Sequence, residues 1–181
     1  ILKSPELNQP IVLVGMMGVG KTYLGSRLAT AFAVDFIDTD KIIENSESTT
    51  ITQIFANQGE QYFRNLEYHT IKNILKSRGM VVAVGGGAYT FKRNREIIDG
   101  IGISVWLDAE PETIFRRISG EGNRPLLKGD NTLLKIRTLL EKRKNDYDKS
   151  VLRFQTDSGI STEDLVFRMK DQISTFAADK V

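Results

Sequence analysis

The sequence predicts an α/β protein in which helices flank a central parallel β-sheet. Short apolar runs alternate along the chain with longer segments whose apolar residues follow the helical period, the pattern of repeated β/α units. A glycine-rich segment, residues 15–22, lies between the first apolar run and the first helical segment. Both observations favour a sheet whose strands are connected by helices.

Five segments are predicted to be strands, because they are short and mostly rich in β-branched residues. They cover residues 11–14, 36–38, 81–84, 103–107 and 152–156. Helices are predicted at residues 21–33, 51–58, 60–76, 110–118 and 132–147, with a last one after Ser161. That helix is expected to begin with a capping box, since Asp164 follows Ser161 at a spacing of three.

Residues 119–131 contain three glycines and one proline and lack helical period, so they are predicted to form a loop. A loop of this length in a compact domain is commonly functional, and we expect a mobile lid over a site. The length of 181 residues, without a repeat or linker, predicts a single domain over residues 1–181.

The composition argues against several kinds of binding. The 25 Lys and Arg nearly cancel the 23 Asp and Glu, so no overall field favours nucleic acid or an anionic membrane. The chain has no Cys and one histidine, His69, which argues against disulfides, thiolate metal sites and histidine clusters. The apolar run near the start is far shorter than the roughly 20 residues that cross a bilayer. We therefore expect a cytoplasmic protein without nucleic-acid or membrane partners, and the lack of an extra apolar helix face favours a monomer.

Residues 15–22, GMMGVGKT, match the G-x-x-x-x-G-K-[ST] phosphate-binding loop between a strand and a helix. Its glycines allow amides to surround a phosphate, and the helix start adds the positive end of its dipole. Lys21 is expected to reach the outer phosphates, and the Thr22 hydroxyl can ligate Mg²⁺. The loop alone leaves GTPases, motor ATPases and small-molecule kinases open. No N-K-x-D-like segment is present to bind guanine, and the chain is too short for the accessory domains of a motor.

Further candidate residues follow the predicted strands. Asp38 and Asp40 are two apart at the end of the second strand, so on an extended chain both carboxylates would face one site. Arg64 and Glu67 are three apart on a predicted helix and can pair. Taken singly, each has an ordinary explanation as a helix cap or a surface charge. The other candidates are the glycines at 85–87, which allow a ligand close to bare backbone, Arg124 in the predicted loop, and Arg143 with Tyr147 four residues later.

Taken together, these positions resemble the shikimate kinase family over nearly the whole chain, from about Ile11 to the final helix. The resemblance rests on DTD at 38–40, FRNLE at 63–67, GGG at 85–87, RPLL at 124–127 and the later KR with Tyr147. It implies the P-loop NTPase fold of nucleoside monophosphate kinases, with a central five-stranded parallel sheet, a shikimate-binding subdomain and a mobile lid. It also implies ATP-dependent phosphorylation of the 3-hydroxyl of shikimate with Mg²⁺, a step towards chorismate and the aromatic amino acids.

The resemblance also implies roles for individual residues. Those similar to the family's shikimate contacts are Asp40, Arg64, Gly86 and Arg143. Those similar to its ATP contacts are Gly18, Val19, Gly20, Lys21, Thr22, Tyr23, Arg117 near the adenine, and Arg124 in the lid. The metal residues would be Thr22 and Asp38, and the catalytic residues Lys21, Asp38 and Arg124. Tyr23 stands where the family more often has a small hydroxyl residue, and no residue near 157–161 can be matched to its adenine loop.

The chemistry of shikimate agrees with this assignment, because arginine forks suit its carboxylate and an aspartate suits its ring hydroxyls. Two alternatives stay open. One is another P-loop small-molecule kinase, such as a gluconate kinase, although a neutral polyol acceptor would leave two site arginines unexplained. The other is an inactive nucleotide-binding regulatory domain, against which the intact Lys21, Thr22, Asp38 and Arg124 argue.

Overall fold

The computed structural model describes residues 7–119 and 131–179. Its sheet has five parallel strands in the order β2-β3-β1-β4-β5. The strands are β1 (Ile11–Val14), β2 (Asp35–Asp38), β3 (Met80–Ala83), β4 (Ile103–Asp108) and β5 (Leu152–Gln155). The predicted five-stranded parallel sheet is confirmed, and each strand end lies within one residue of its predicted position.

The helices within the described ranges are α1 (Lys21–Phe32), α2 (Thr39–Glu47), α3 (Ile51–Ile74), α4 (Lys92–Ile101), α5 (Pro111–Ile118), α6 (Thr132–Tyr147) and α7 (Thr162–Asp179), with a 3₁₀ turn at Ala88–Thr90. The α3 helix is interrupted at Gly59, whose φ is 84°, where two helices were predicted. The predicted start of α7 is confirmed, since the Asp164 amide donates to Ser161 Oγ at 3.0 Å.

The sequence did not predict α2 and α4. Neither contains enough apolar residues to establish a helical period, because α2 has the sequence TDKIIENSE and α4 the sequence KRNREIIDGI. In addition, α2 follows β2 without any connecting loop. The predicted lid at residues 119–131, including Arg124, lies outside the described residues except for its two end positions.

The three inner strands, β3, β1 and β4, are buried along their whole length, as expected for parallel strands covered by helices. Alternate residues of the central strand β1 enter two different clusters. Ile11 and Leu13 belong to the cluster that includes residues of α1 and α7, whereas Val12 and Val14 belong to the cluster that includes residues of α3, α4 and α6. No helix in the described part of the chain combines the length and apolar character needed to span a membrane. The cytoplasmic location therefore stays a prediction.

The order of the strands determines where a site can form. Strands β2, β3 and β1 are neighbours and parallel, so their carboxyl ends lie side by side at one edge of the sheet. The segments that follow them are the start of α2, the glycines at 85–87 and the glycine-rich loop at 15–20. In open α/β sheets, ligands bind outside this edge. The fold thus brings together three segments that carry candidate residues.

Close packing of α1 on the sheet depends on Gly25. A Cβ at this position would lie 2.4 Å from Phe36 Cε2 and 3.0 Å from Leu13 Cδ1. We expect Gly25→Ala to destabilise the fold. Overpacking a core costs about 1–3 kcal/mol, and at a distance of 2.4 Å this cost should exceed the gain of about 1 kcal/mol that alanine brings in helix propensity. Urea denaturation would show a lower unfolding midpoint.

Gly100→Ala is the matched control, since Gly100 also lies in a helix but no atom comes within 4 Å of its Cβ position. This variant should be as stable as the wild type or more stable by up to about 1 kcal/mol. Equal stabilisation by both substitutions would contradict the close approach of α1 to the sheet.

Candidate active site

A cavity of about 1180 Å³ opens at the carboxyl edge of the sheet. Pockets for one drug-sized ligand typically have about 300–1000 Å³, so this cavity has room for more than one small molecule. Its lining includes every predicted site residue that the structure describes: Gly18, Val19, Gly20, Lys21, Thr22, Tyr23, Asp38, Asp40, Arg64, Gly86, Arg117 and Arg143. The remaining predicted residue, Arg124, lies outside the described ranges.

The glycine-rich loop depends on glycine at three positions. The φ angles of Gly15, Gly18 and Gly20 are 135°, 79° and 101°, in a region that residues with a Cβ rarely adopt. Gly20 is the N-cap of α1, so the first amides of that helix are not capped by a side chain. The Lys21 ammonium donates to the carbonyl oxygens of Gly15 at 2.7 Å and Met16 at 3.0 Å. The loop therefore combines helix amides and a cation, the groups that hold phosphate.

Asp38 connects the glycine-rich loop to α2. Its Oδ2 accepts from the Thr22 hydroxyl at 2.9 Å, and its Oδ1 accepts from the Asp40 amide at 3.1 Å as the N-cap of α2. The expected extended geometry is wrong, because β2 ends at Asp38 and Asp40 lies in the first turn of α2. Both carboxylates nevertheless line the cavity. Asp38 is thus a helix cap and a cavity residue at once.

The chemistry of Thr22 and Asp38 fits Mg²⁺. The ion prefers oxygen ligands and is usually held by one or two carboxylates together with substrate phosphates and water. The Thr22 hydroxyl lies 2.9 Å from Asp38 Oδ2, and both residues line the cavity. Thr22 also follows Lys21 directly in the sequence. The residues present therefore suit a magnesium ion that accompanies a nucleotide.

Arg64 is held by a buried carboxylate. Its Nη1 donates to both oxygens of Glu67, at 3.1 and 3.0 Å, and its Nε donates to Glu60 Oε1 at 3.2 Å. Glu67 has no exposed surface, and Asn94 Nδ2 donates to it at 3.2 Å. Burial raises the pKa of Glu67, and the charge of Arg64 opposes this rise. The predicted pairing of Arg64 with Glu67 is confirmed, whereas Asn94 was missed because it lies on the unpredicted α4.

The glycines after β3 bring two guanidinium groups together. A Cβ at Gly87 would lie 3.0 Å from Arg64 Nη2 and 3.4 Å from Arg143 Nη2. At Gly86 it would lie 3.4 Å from Arg143 Nη1 and 3.2 Å from the backbone nitrogen of Met17 in the glycine-rich loop. Two cations thus converge beside the phosphate-binding loop, which is the arrangement that suits a carboxylate.

Asp40 faces the same bare backbone. Its Oδ1 is buried and accepts no hydrogen bond within the described residues, and it lies 2.9 Å from the Cβ position of Gly85. Burial, followed by the nearby charge of Asp38, raises the pKa of Asp40 to about 6. Buried polar atoms without partners are uncommon and concentrate where a ligand supplies the missing bond.

Arg117 joins the glycine-rich loop to the end of β5. Its Nη1 donates to the Val19 carbonyl at 3.1 Å and to Thr156 Oγ1 at 3.0 Å. Ile160, in the short loop before α7, and Leu165, in α7 itself, line the cavity as well, and they were missed because neither belongs to a motif. Tyr23 is half exposed and stacks on Arg27, whose guanidinium carbon lies 3.6 Å from its ring centre.

The raised pKa of Asp40 predicts a pH-dependent cost to stability. The ordinary value of 3.8 rises to about 6 in the folded protein, so the folded state binds this proton more tightly than the unfolded chain. The ionised Asp40 carboxylate therefore destabilises the folded protein increasingly as the pH rises from about 4 through 6. We therefore expect ligand-free Asp40→Asn to be more stable than the wild type at pH 8 by roughly 1–3 kcal/mol, at about 1.4 kcal/mol per pKa unit. Near pH 4 the two should be equal.

Urea denaturation in EDTA at pH 4, 6 and 8 measures this difference. Asp35→Asn provides a control, because Asp35 is an exposed carboxylate on the preceding strand, and its substitution should change stability by less than about 0.5 kcal/mol. A lower stability of Asp40→Asn than of the wild type at pH 8 would show that the Asp40 charge is not buried at a cost.

Comparison with known proteins identifies the family. The shikimate kinase family model matches residues 17–174. Shikimate kinase from Geobacter sulfurreducens is 38% identical over 178 residues, covering 98% of this chain and 96% of that protein. The enzyme from Symbiobacterium thermophilum is 39% identical over 166 residues, covering 90% of this chain and 95% of its own length.

Solved structures agree with the sequence comparison. Shikimate kinase from Acinetobacter baumannii in complex with shikimate matches with a TM-score of 0.88 and 35% identity, covering 94% of this chain and 95% of that one. A gluconokinase from Sinorhizobium meliloti has a TM-score of 0.59 at 17% identity, which shows a shared fold alone. The predicted P-loop kinase fold and the predicted resemblance are confirmed: the chain belongs to the shikimate kinase family.

Proposed function

We propose that this cavity carries out the reaction of the family, the transfer of the terminal phosphate of ATP to the 3-hydroxyl of shikimate. One observation carries the proposal. Arg64 and Arg143 converge on the glycines at 85–87, and Gly86 lies against the backbone of the phosphate-binding loop. This arrangement supports a binding point for a carboxylate directly beside a binding point for phosphates.

The acceptor end of the cavity suits shikimate, which has one carboxylate and a ring with three hydroxyls. The carboxylate would pair with Arg64 and Arg143, since charge-assisted hydrogen bonds from guanidinium groups suit a carboxylate. Asp40 would accept from ring hydroxyls through the buried oxygen that has no partner among the described residues. The Gly86 backbone would contact the ring, since no side chain keeps a ligand away from it. The Acinetobacter baumannii relative was solved in complex with shikimate, which supports shikimate as the acceptor.

The nucleotide end is assigned to the glycine-rich loop. The amides of residues 18–23 would bind the phosphates, and the Lys21 ammonium would exchange the carbonyl oxygens of Gly15 and Met16 for phosphate oxygens. Arg117, with Ile160 nearby in the lining, would lie beside the base. Arg124, outside the described residues, stays predicted to close onto the phosphates from a lid at 119–131.

Thr22 and Asp38 would hold Mg²⁺, and the ion when bound screens the charge of the phosphates. The residues of this chain supply further cations: MgATP and shikimate together bring about three negative charges, against Lys21, Arg64 and Arg143 in the cavity. Phosphoryl transfer needs chiefly alignment and charge stabilisation, because a loose transition state demands little from a base. Asp38 is the candidate to accept the proton of the attacking hydroxyl, as a role second to its role at the metal.

An ADP-release assay with shikimate, gluconate and nucleoside monophosphates as acceptors tests this function. We expect ATP-dependent turnover with shikimate alone, and we expect Lys21→Ala to abolish it while the circular dichroism spectrum stays unchanged. Preferred turnover of gluconate would favour the alternative small-molecule kinase. Absence of turnover with every acceptor, or near-normal turnover by folded Lys21→Ala, would remove the assignment.

Asp38→Asn and Asp40→Asn should impair the enzyme in different ways, although the two residues are joined by a backbone hydrogen bond. Asp38→Asn weakens a partner of the metal, so it should lower kcat and raise the Mg²⁺ requirement while leaving shikimate affinity intact. Asp40→Asn removes a charged acceptor, and such hydrogen bonds contribute about 1.5–3 kcal/mol. Shikimate affinity should fall by about ten- to a hundredfold, with ATP affinity little changed.

Calorimetric titration of both variants with shikimate and with MgATP separates these outcomes. Each variant is the control for the other, because the substitution is chemically identical. Wild-type shikimate affinity in Asp40→Asn would mean that the acceptor does not bind at this carboxylate.

A further inference from the structure

Tyr147 is a buried tyrosine whose hydroxyl reaches the acceptor end of the cavity. It is the last residue of α6 and has no exposed surface. Its hydroxyl donates to the carbonyl oxygen of Gly86, a residue distant in sequence. The roles assigned above to binding and transfer do not include it.

The position of the Tyr147 ring is determined by the core rather than by the cavity. Its ring centre lies 5.7 Å from that of Trp106 on β4. Both side chains belong to the hydrophobic cluster that includes residues of α3 and α4. Burial raises the pKa of Tyr147 to about 12, with the charge of Arg143 opposing the rise. The hydroxyl therefore remains a donor at neutral pH, and its location is tied to the sheet.

The hydrogen bond determines the orientation of one peptide unit. The carbonyl of Gly86 and the amide of Gly87 belong to the same planar group, and in a trans peptide they point in opposite directions. Holding the carbonyl towards Tyr147 therefore turns the Gly87 amide the other way. A peptide between two glycines rotates more easily than others because neither residue has a Cβ. Among the described residues, the bond from Tyr147 is the one hydrogen bond that holds this peptide unit itself.

The peptide lies where the acceptor is proposed to bind. The Cβ position of Gly87 is 3.0 Å from Arg64 Nη2 and 3.4 Å from Arg143 Nη2. Among the residues that the structure describes, the amides of Gly85, Gly86 and Gly87 donate to no carbonyl or side chain. An amide without a partner, in a residue whose Cβ position lies close to two guanidiniums, is a further donor for an anion. The direction in which the Gly87 N–H points therefore decides whether a bound anion can accept from it.

We propose that Tyr147 is a positioning residue for the acceptor: its hydroxyl fixes the orientation of the Gly86–Gly87 peptide beside Arg64 and Arg143, so that the backbone presents its amide to the bound anion. This inference rests on the proposed function of the same cavity. Tyr147 and Arg143 are one turn apart on α6, so the helix that supplies one guanidinium also orients the backbone beside it. The substrate does not contact Tyr147 itself.

Tyr147→Phe removes the hydroxyl and keeps the ring. We expect KM for shikimate to rise by roughly tenfold, because losing a hydrogen bond that leaves a buried carbonyl unsatisfied costs about as much free energy as a tenfold change in affinity. KM for ATP should change by less than about twofold, and kcat at saturating shikimate should change less than KM. A purely structural defect would instead affect both substrates.

Tyr89→Phe is the matched control. Tyr89 is equally buried in the same cluster, but its hydroxyl donates to Asp99 at 2.9 Å and lies close to Ser104, and Tyr89 is not part of the cavity lining. Its substitution should lower the unfolding midpoint at least as much while leaving both KM values unchanged. A wild-type KM for shikimate in Tyr147→Phe, or equal KM changes in the two variants, would overturn the proposal.

Hydrogen exchange at the Gly87 amide tests the mechanism without relying on turnover. In the ¹⁵N-labelled ligand-free protein, this amide signal should shift in Tyr147→Phe and stay in place in Tyr89→Phe. In the wild type, exchange should slow by at least about tenfold with saturating shikimate, and unchanged exchange would overturn the proposal even if Tyr147→Phe does not fold. If the wild type neither binds nor phosphorylates shikimate, the proposed function fails, whereas the ligand-free comparison still decides whether Tyr147 orients the peptide.

Discussion

The absence of side chains at residues 85–87 is the constraint on which the candidate site depends. A Cβ at any of the three positions would come within about 3 Å of a group in the site: Asp40 Oδ1 at Gly85, the backbone of the phosphate-binding loop at Gly86, and Arg64 at Gly87. These groups come from three different elements that meet at the carboxyl edge of the sheet. The bare backbone lets them approach one another closely enough to surround one small ligand. The acceptor and phosphate ends are therefore parts of one continuous surface.

This arrangement lowers the stability of the ligand-free protein. Glu67 is fully buried and depends on Arg64 for its counter-charge, and Asp40 is buried with an oxygen that has no partner in the described structure. Unpaired buried charge destabilises a fold, and natural sites commonly retain such strain where a ligand relieves it. Bound shikimate would supply hydrogen-bond donors for Asp40 and a carboxylate for the two arginines. The same groups that limit stability would then provide specificity.

Sequence patterns predicted the sheet and the phosphate-binding loop, because both rest on local spacing, whereas the members of the cavity were predicted from the resemblance to the shikimate kinase family. They did not predict α2 and α4, whose polar sequences depend on packing against neighbours. Asp40 was therefore expected on an extended segment, and Asn94 was missed. The contact between Tyr147 and Gly86 joins residues 61 apart in the chain, and no local pattern encodes it. The part of the cavity near Arg117 was predicted incompletely, since Ile160 lines the same cavity but belongs to no recognisable motif.

A crystal structure of the protein with shikimate bound tests the central claim, that the glycines at 85–87 bring two guanidiniums and a carboxylate around one acceptor. We expect the shikimate carboxylate within hydrogen-bonding distance of both Arg64 and Arg143, with Asp40 accepting from a ring hydroxyl that faces the phosphate-binding loop. A carboxylate bound away from these arginines, or a ring whose hydroxyls do not reach Asp40, would contradict the account.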